Sequence, residues 1–128
     1  MLFRSELSFA ATYKLGLSSI INKAGNAILP SSDSAAAAGG VASIDDATGV
    51  FTFDYLTSDS DAYPFTATTY ALVSTKYGNA AKAKAVKETL EFHAFKCPGL
   101  YPALGFASVT PTSKFGVVVT KQLGKLGA

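Results

Sequence analysis

The chain has 128 residues, 48% of them hydrophobic and 16% charged, which is the size of one ordinary domain and too apolar for intrinsic disorder. Lys and Arg number 11 against 9 Asp and Glu, and the resulting +2 excludes the strong basic footprint of a nucleic-acid or acidic-membrane binder. Cys97 is the single cysteine, so no intrachain disulfide can form.

In chain order, the opening residues lack the apolar core and small-residue cleavage site of a secretory signal, and no run approaches the ~20 apolar residues of a membrane span. Leu2-Phe3-Arg4-Ser5 is also what the tail of a sequencing-library adapter would encode, and the expectation is a truncated frame from a longer protein. Residues 6–15 read as a helix, with Leu7, Ala10, Ala11 and Leu15 at helical spacing and Gly16 as its C-cap. A hairpin follows: Ile20 and Ile21 lead in, Lys23-Ala24-Gly25-Asn26 turns, and Ala27, Ile28 and Leu29 return before Pro30. Ser32 or Asp33 is expected to cap a short alanine-rich helix that Gly39-Gly40 ends.

Residues 50–55 alternate Val, Thr and Asp with Phe, Phe and Tyr, the pattern of a short strand, and Ser58 to Asp61 form a loop. Residues 65–73 are the best-marked strand. Phe65, Ala67, Thr69, Ala71 and Val73 share one face, and Thr66, Thr68, Tyr70 and Leu72 the other. Neither face is charged, so the expectation is a strand covered on both sides, opened by Pro64 where a missing donor is tolerated. Residues 80–95 form the clearest helix, with Ala83, Val86, Leu90 and Ala94 as its apolar stripe, Lys84, Lys87, Glu88 and Glu91 opposite, and Cys97-Pro98-Gly99 beyond its end. A turn at Thr110-Pro111 precedes a last amphipathic helix carrying Val117, Val118, Leu123 and Leu126 on one side and Lys114, Lys121 and Lys125 on the other.

Few residues suggest chemistry. His93 lies four before Cys97, but no third orienting group follows, so both read as packing residues rather than a nucleophile pair. Asp45, Asp46, Asp54, Asp59 and Asp61 lack the spacing of a calcium loop and read as loop solvation. The lysine groups Lys82, Lys84, Lys87 and Lys114, Lys121, Lys125 read as solvated helix faces. Phosphate loops, dinucleotide fingerprints, zinc-hydrolase motifs and a serine triad are all missing from the sequence. No catalytic, metal or cofactor residue is assigned.

Three stretches carry a resemblance. "ATYKLGLSSIINKAGNAILPSSDSAAAA" is similar to a segment of PstS-type phosphate-binding proteins of ABC importers, through Asn22, Gly25, Pro30, Ser31, Asp33, Ser34, Ala36 and Ala37. "DAYPFTATTYALV" resembles the family's proline-led strand through Tyr63, Pro64, Thr69, Tyr70, Leu72 and Val73. "ALGFASVTPTSKFGVVVTKQL" looks like its closing block, although Val109-Thr110-Pro111 stands where the family has Leu-Pro and Phe92-His93-Ala94-Phe95 where it has a Trp-Ala-like helix end. The blocks keep the family's order across residues 9–126.

What the resemblance implies is an α/β chain forming the C-terminal part of a two-lobed type II periplasmic-binding-protein fold. Residues 1–62 would end lobe two, and residues 63–128 would supply the crossover strand and the helices returning to lobe one. The intact protein would be periplasmic or at the cell surface. It would bind inorganic phosphate without catalysis and present it to a membrane permease, with no cofactor and no nucleic acid. The family's phosphate contacts lie upstream of the matched region, so none carries over, and Arg4 lies outside that region. Thr66 and Thr68 are the residues that could face the cleft, beside the plainer reading that threonine favours strand geometry. The rivals are an autonomous α/β interaction or regulatory domain and a small hydrolase using His93 and Cys97.

Overall fold

The computed structural model describes residues 7–127, so Glu6 and the Leu2-Phe3-Arg4-Ser5 stretch lie outside the described residues. The chain is of mixed α/β class. Its described elements run α1 (Leu7–Tyr13), β1 (Ile20–Ile21), β2 (Ala27–Ile28), α2 (Ser32–Val41), β3 (Ser43–Ile44), β4 (Phe51–Thr52), α3 (Ala80–Glu91) and α4 (Lys114–Leu123). β1 pairs with β2 and β3 with β4, each as a two-stranded sheet. The chain folds as two compact units, each built from discontinuous segments.

The first unit holds residues 7–43, 52–67 and 99–108. α1 ends earlier than expected. Its left-handed residue is Lys14, with φ 53°, rather than Gly16, and the Leu15 N–H donates to Ala10 O at 2.9 Å. That six-residue closure is the Schellman pattern, which fixes the end of a helix by geometry and here accepts a lysine in place of glycine. α1 packs on the 3₁₀ turn Pro102–Leu104, where Gly105 (φ 81°) follows. A Cβ at Gly105 would lie 2.8 Å from Leu7 Cβ, so this close approach requires glycine.

β1 and β2 are antiparallel, with Ile20 opposite Ile28 and Ile21 opposite Ala27. Gly25, at φ 89°, turns the loop between them, and Asn22 and Asn26 close it with an N–H to O bond of 2.9 Å. The cap of α2 is Ser31, one residue before the nearer of the two expected caps. Ser31 Oγ accepts from Ser34 N at 3.1 Å, while Ser34 Oγ accepts from Ser31 N at 3.0 Å, a reciprocal capping box. The helix also continues through Gly39 and Gly40 to Val41, with Gly39 buried. Packing there outweighs glycine's helix cost of about 1 kcal/mol.

The second unit holds residues 44–51, 68–98 and 109–127. Asn79 Oδ1 caps α3 by accepting from Ala81 N at 2.8 Å and Lys82 N at 3.2 Å. The helix then widens into a π-helical turn, Phe92–Lys96, closed by Cys97 N donating to Phe92 O at 3.1 Å. Of the expected stripe, Ala83 is buried, and Val86, Leu90 and Ala94 are half-buried. α4 packs against α3. Ser113 caps α4, which buries Gly116, Val118 and Leu123. Val117, expected on the apolar side, is exposed.

The expected strand at residues 65–73 does not form. A turn occupies its start, where Thr66 Oγ1 donates to Tyr63 O at 2.9 Å, and no ladder follows. The expected burial on both faces fails as well, since Phe65 is 74% and Leu72 93% exposed. The physical reason is the lack of a partner: a strand's backbone groups are satisfied by neighbours, and none among the described residues pairs here.

Buried apolar side chains are correspondingly small. They are Ala10, Ala38, Ala42 and Ala62 in the first unit, and Ala83, Val118 and Leu123 in the second. No large side chain among the described residues is fully buried. Each buried methyl or methylene contributes about 0.8 kcal/mol, against about 1.5–3 kcal/mol for a whole Leu or Phe side chain, so polar pins weigh more heavily here than in a well-filled core.

Candidate functional site

The most organised polar centre lies in the first unit, around Asn22. This residue follows β1 directly and is 7% exposed. Its Nδ2 donates to the carbonyls of Asp59 (3.2 Å), Ser60 (3.0 Å) and Ala62 (3.3 Å), while its Oδ1 accepts from Asn26 N at 3.0 Å. The two N–H hydrogens are thus shared among three acceptors, and the amide has no donor left for a ligand. Asn26 Nδ2 adds a second bond to Ser60 O at 3.1 Å. Tyr63 N donates to Ser34 O at 3.1 Å, and Ser34 Oγ donates to Leu29 O at 2.9 Å. The hairpin turn, the start of α2 and the loop before Tyr63-Pro64 are therefore fastened to one another by side chains.

Two concavities flank this centre. One, of about 10 Å³, is bordered by Asn22, Ala38, Phe53, Ala62, Tyr63 and Pro64. That is room for a single water at most. The other is an open groove of about 400 Å³ along β2 and the start of α2, where Asp33 and Asp61 line the rim. Their carboxylates oppose an anion, and Ser31 already occupies the Ser34 N–H at the helix start.

Three of the five aspartates read as loop solvation have defined turn roles. Asp45 Oδ1 accepts from Ala47 N (2.8 Å) and Thr48 N (3.3 Å), Asp54 Oδ1 from Leu56 N (3.0 Å), and Asp59 Oδ1 from Asp61 N (2.9 Å). These are Asx turns, in which a short side chain replaces a backbone acceptor. The Ala47 amide, then the Thr48 hydroxyl and amide, hold the Asp45 carboxyl below its ordinary 3.8. Asp46 forms an exposed ion pair with Lys121 at 3.7 Å. No cluster of three metal-ligating side chains occurs among the described residues.

Thr66 spends its hydroxyl hydrogen on the Tyr63 carbonyl, and Thr68 Oγ1 is buried without a hydrogen-bond partner. His93 stands within the π-helical turn, its ring edge-on to Phe92 with centroids 6.1 Å apart, and Cys97 closes that turn as a half-buried thiol. Of the lysines, Lys84 pairs with Glu88 across one turn at 3.7 Å, and Lys125 Nζ donates to Ala47 O at 2.9 Å. Arg4 lies outside the described residues.

Sequence reasoning singled out Asn22 but missed its reach to residues 59–62. The signal available was an asparagine opening an N-x-x-G turn, which says only that a side chain can close the turn locally. No helix among the described residues is long and apolar enough to cross a membrane. No family model, curated protein or solved structure matches the chain.

Proposed function

We propose that the chain is the C-terminal portion of a PstS-type phosphate-binding protein, the non-catalytic solute-binding component of an ABC phosphate importer. The observation that carries the reading is the junction of its first two motif blocks. Asn22 and Ser34 from the first meet Ala62 and Tyr63 of the second, through bonds of 3.3 Å and 3.1 Å. Residues of two separate motif blocks, up to 40 positions apart, are thereby held together by hydrogen bonds, which supports reading the blocks jointly. The uncharged, largely exposed run at residues 65–73 adds support, because a segment patterned for burial on both faces belongs beside partner strands. In this reading the phosphate contacts belong to the preceding part of the parent protein, and the permease partner engages the intact two-lobed molecule at the periplasmic or outer surface.

Isothermal titration of the 128-residue chain with inorganic phosphate tests the placement of those contacts. No binding tighter than millimolar is expected, and micromolar affinity would overturn it. Dye binding and thermal unfolding of the same chain test the partial-fold reading. Exposed apolar surface should bind a hydrophobic dye and broaden the melt. A sharp cooperative transition without dye binding would instead favour the rival reading of an autonomous α/β domain.

A further inference from the structure

We draw no further inference here: the strongest candidate, the open groove along β2 and the start of α2 in the first unit, carries nothing because its two carboxylates, Asp33 and Asp61, flank a helix N-terminus already capped by Ser31 and nothing in the structure shows what covers it.

Discussion

Replacing Asn22 by alanine isolates the polar junction of the first unit. The substitution removes two N–H donors that serve the carbonyls of residues 59, 60 and 62, and one acceptor that serves Asn26 N. Three net hydrogen bonds at about 1 kcal/mol each set an upper figure near 3 kcal/mol. Only the bond to Ala62 is fully buried, so water replaces part of the loss at the others, and the expected cost is about 2 kcal/mol. The reporter is the Tyr63 amide, which donates to Ser34 O and makes no bond to Asn22. If Asn22 holds the loop closed, Asn22→Ala should speed hydrogen exchange at Tyr63 about 30-fold, the equivalent of 2 kcal/mol of local opening.

Asn22→Asp supplies the control. The carboxylate keeps an acceptor for Asn26 N but points oxygen at three carbonyls, so its folded pKa should rise above the unfolded value of about 3.9. A carboxyl with a raised folded pKa destabilises the folded state above that pKa and ceases to do so as pH falls through it. Tyr63 protection in Asn22→Asp should therefore recover on acidification, after correction for intrinsic exchange, and in Asn22→Ala it should not. A change below about threefold at Tyr63 in Asn22→Ala would refute the pin.

Three further outcomes are expected. Gly116→Ala should destabilise the second unit by about 1–3 kcal/mol, read by urea titration, because its Cβ would collide with the Thr110 carbonyl and stand 2.9 Å from Pro111 Cα. Thr68→Val should be neutral or stabilising by up to about 1 kcal/mol in the same assay, since it removes a buried hydroxyl that lacks a partner while keeping the side chain's shape. The Asp45 turn should loosen in acid. Its folded carboxyl is lowered from 3.8, so its contribution is present above that value and is lost as pH falls through the folded pKa. Amide exchange at Ala47 and Gly49 should register that loss in the native chain and show none of it in Asp45→Asn.

How much was legible from sequence divides along the range of the interactions. The β1–β2 hairpin, α3 and α4 rest on signals within a few residues: isoleucines around a Gly25 turn, alanines and lysines at helical spacing, and the Thr110-Pro111 turn ahead of α4. The cap errors are equally local. Ser31 competes with Ser32 and Asp33 on the same chemistry, and what favours Ser31 is Ser34 standing three residues on to complete the box. Lys14 takes the left-handed position because the Leu15 to Ala10 bond fixes where α1 closes, whereas sequence points to the nearest glycine. The junction at Asn22 was not legible, since its partners are backbone carbonyls 37 to 40 residues away that leave no side-chain signature. The aspartates were legible in kind, and their individual roles emerge from Asx geometry that residue type only permits.

Residues 65–73 set pattern and structure in direct opposition, and the direction of the disagreement is informative. Periodicity reports what a segment's side chains can cover, while a ladder requires a neighbour to supply donors and acceptors. Sequences that leave a strand-like run open to water usually break it with lysine, proline or an inward charge, because an apolar open edge recruits other chains. After Pro64, this run carries no charge through Val73, yet Leu72 is 93% exposed and Phe65 74%. The local chemistry elsewhere is well kept, with capped helices and Asx-closed turns, so a general failure of patterning does not explain the exposure. An uncharged, two-faced run beside a satisfied polar junction is better explained by a surface meant to be covered, and that is the property the proposed parent fold supplies through flanking strands.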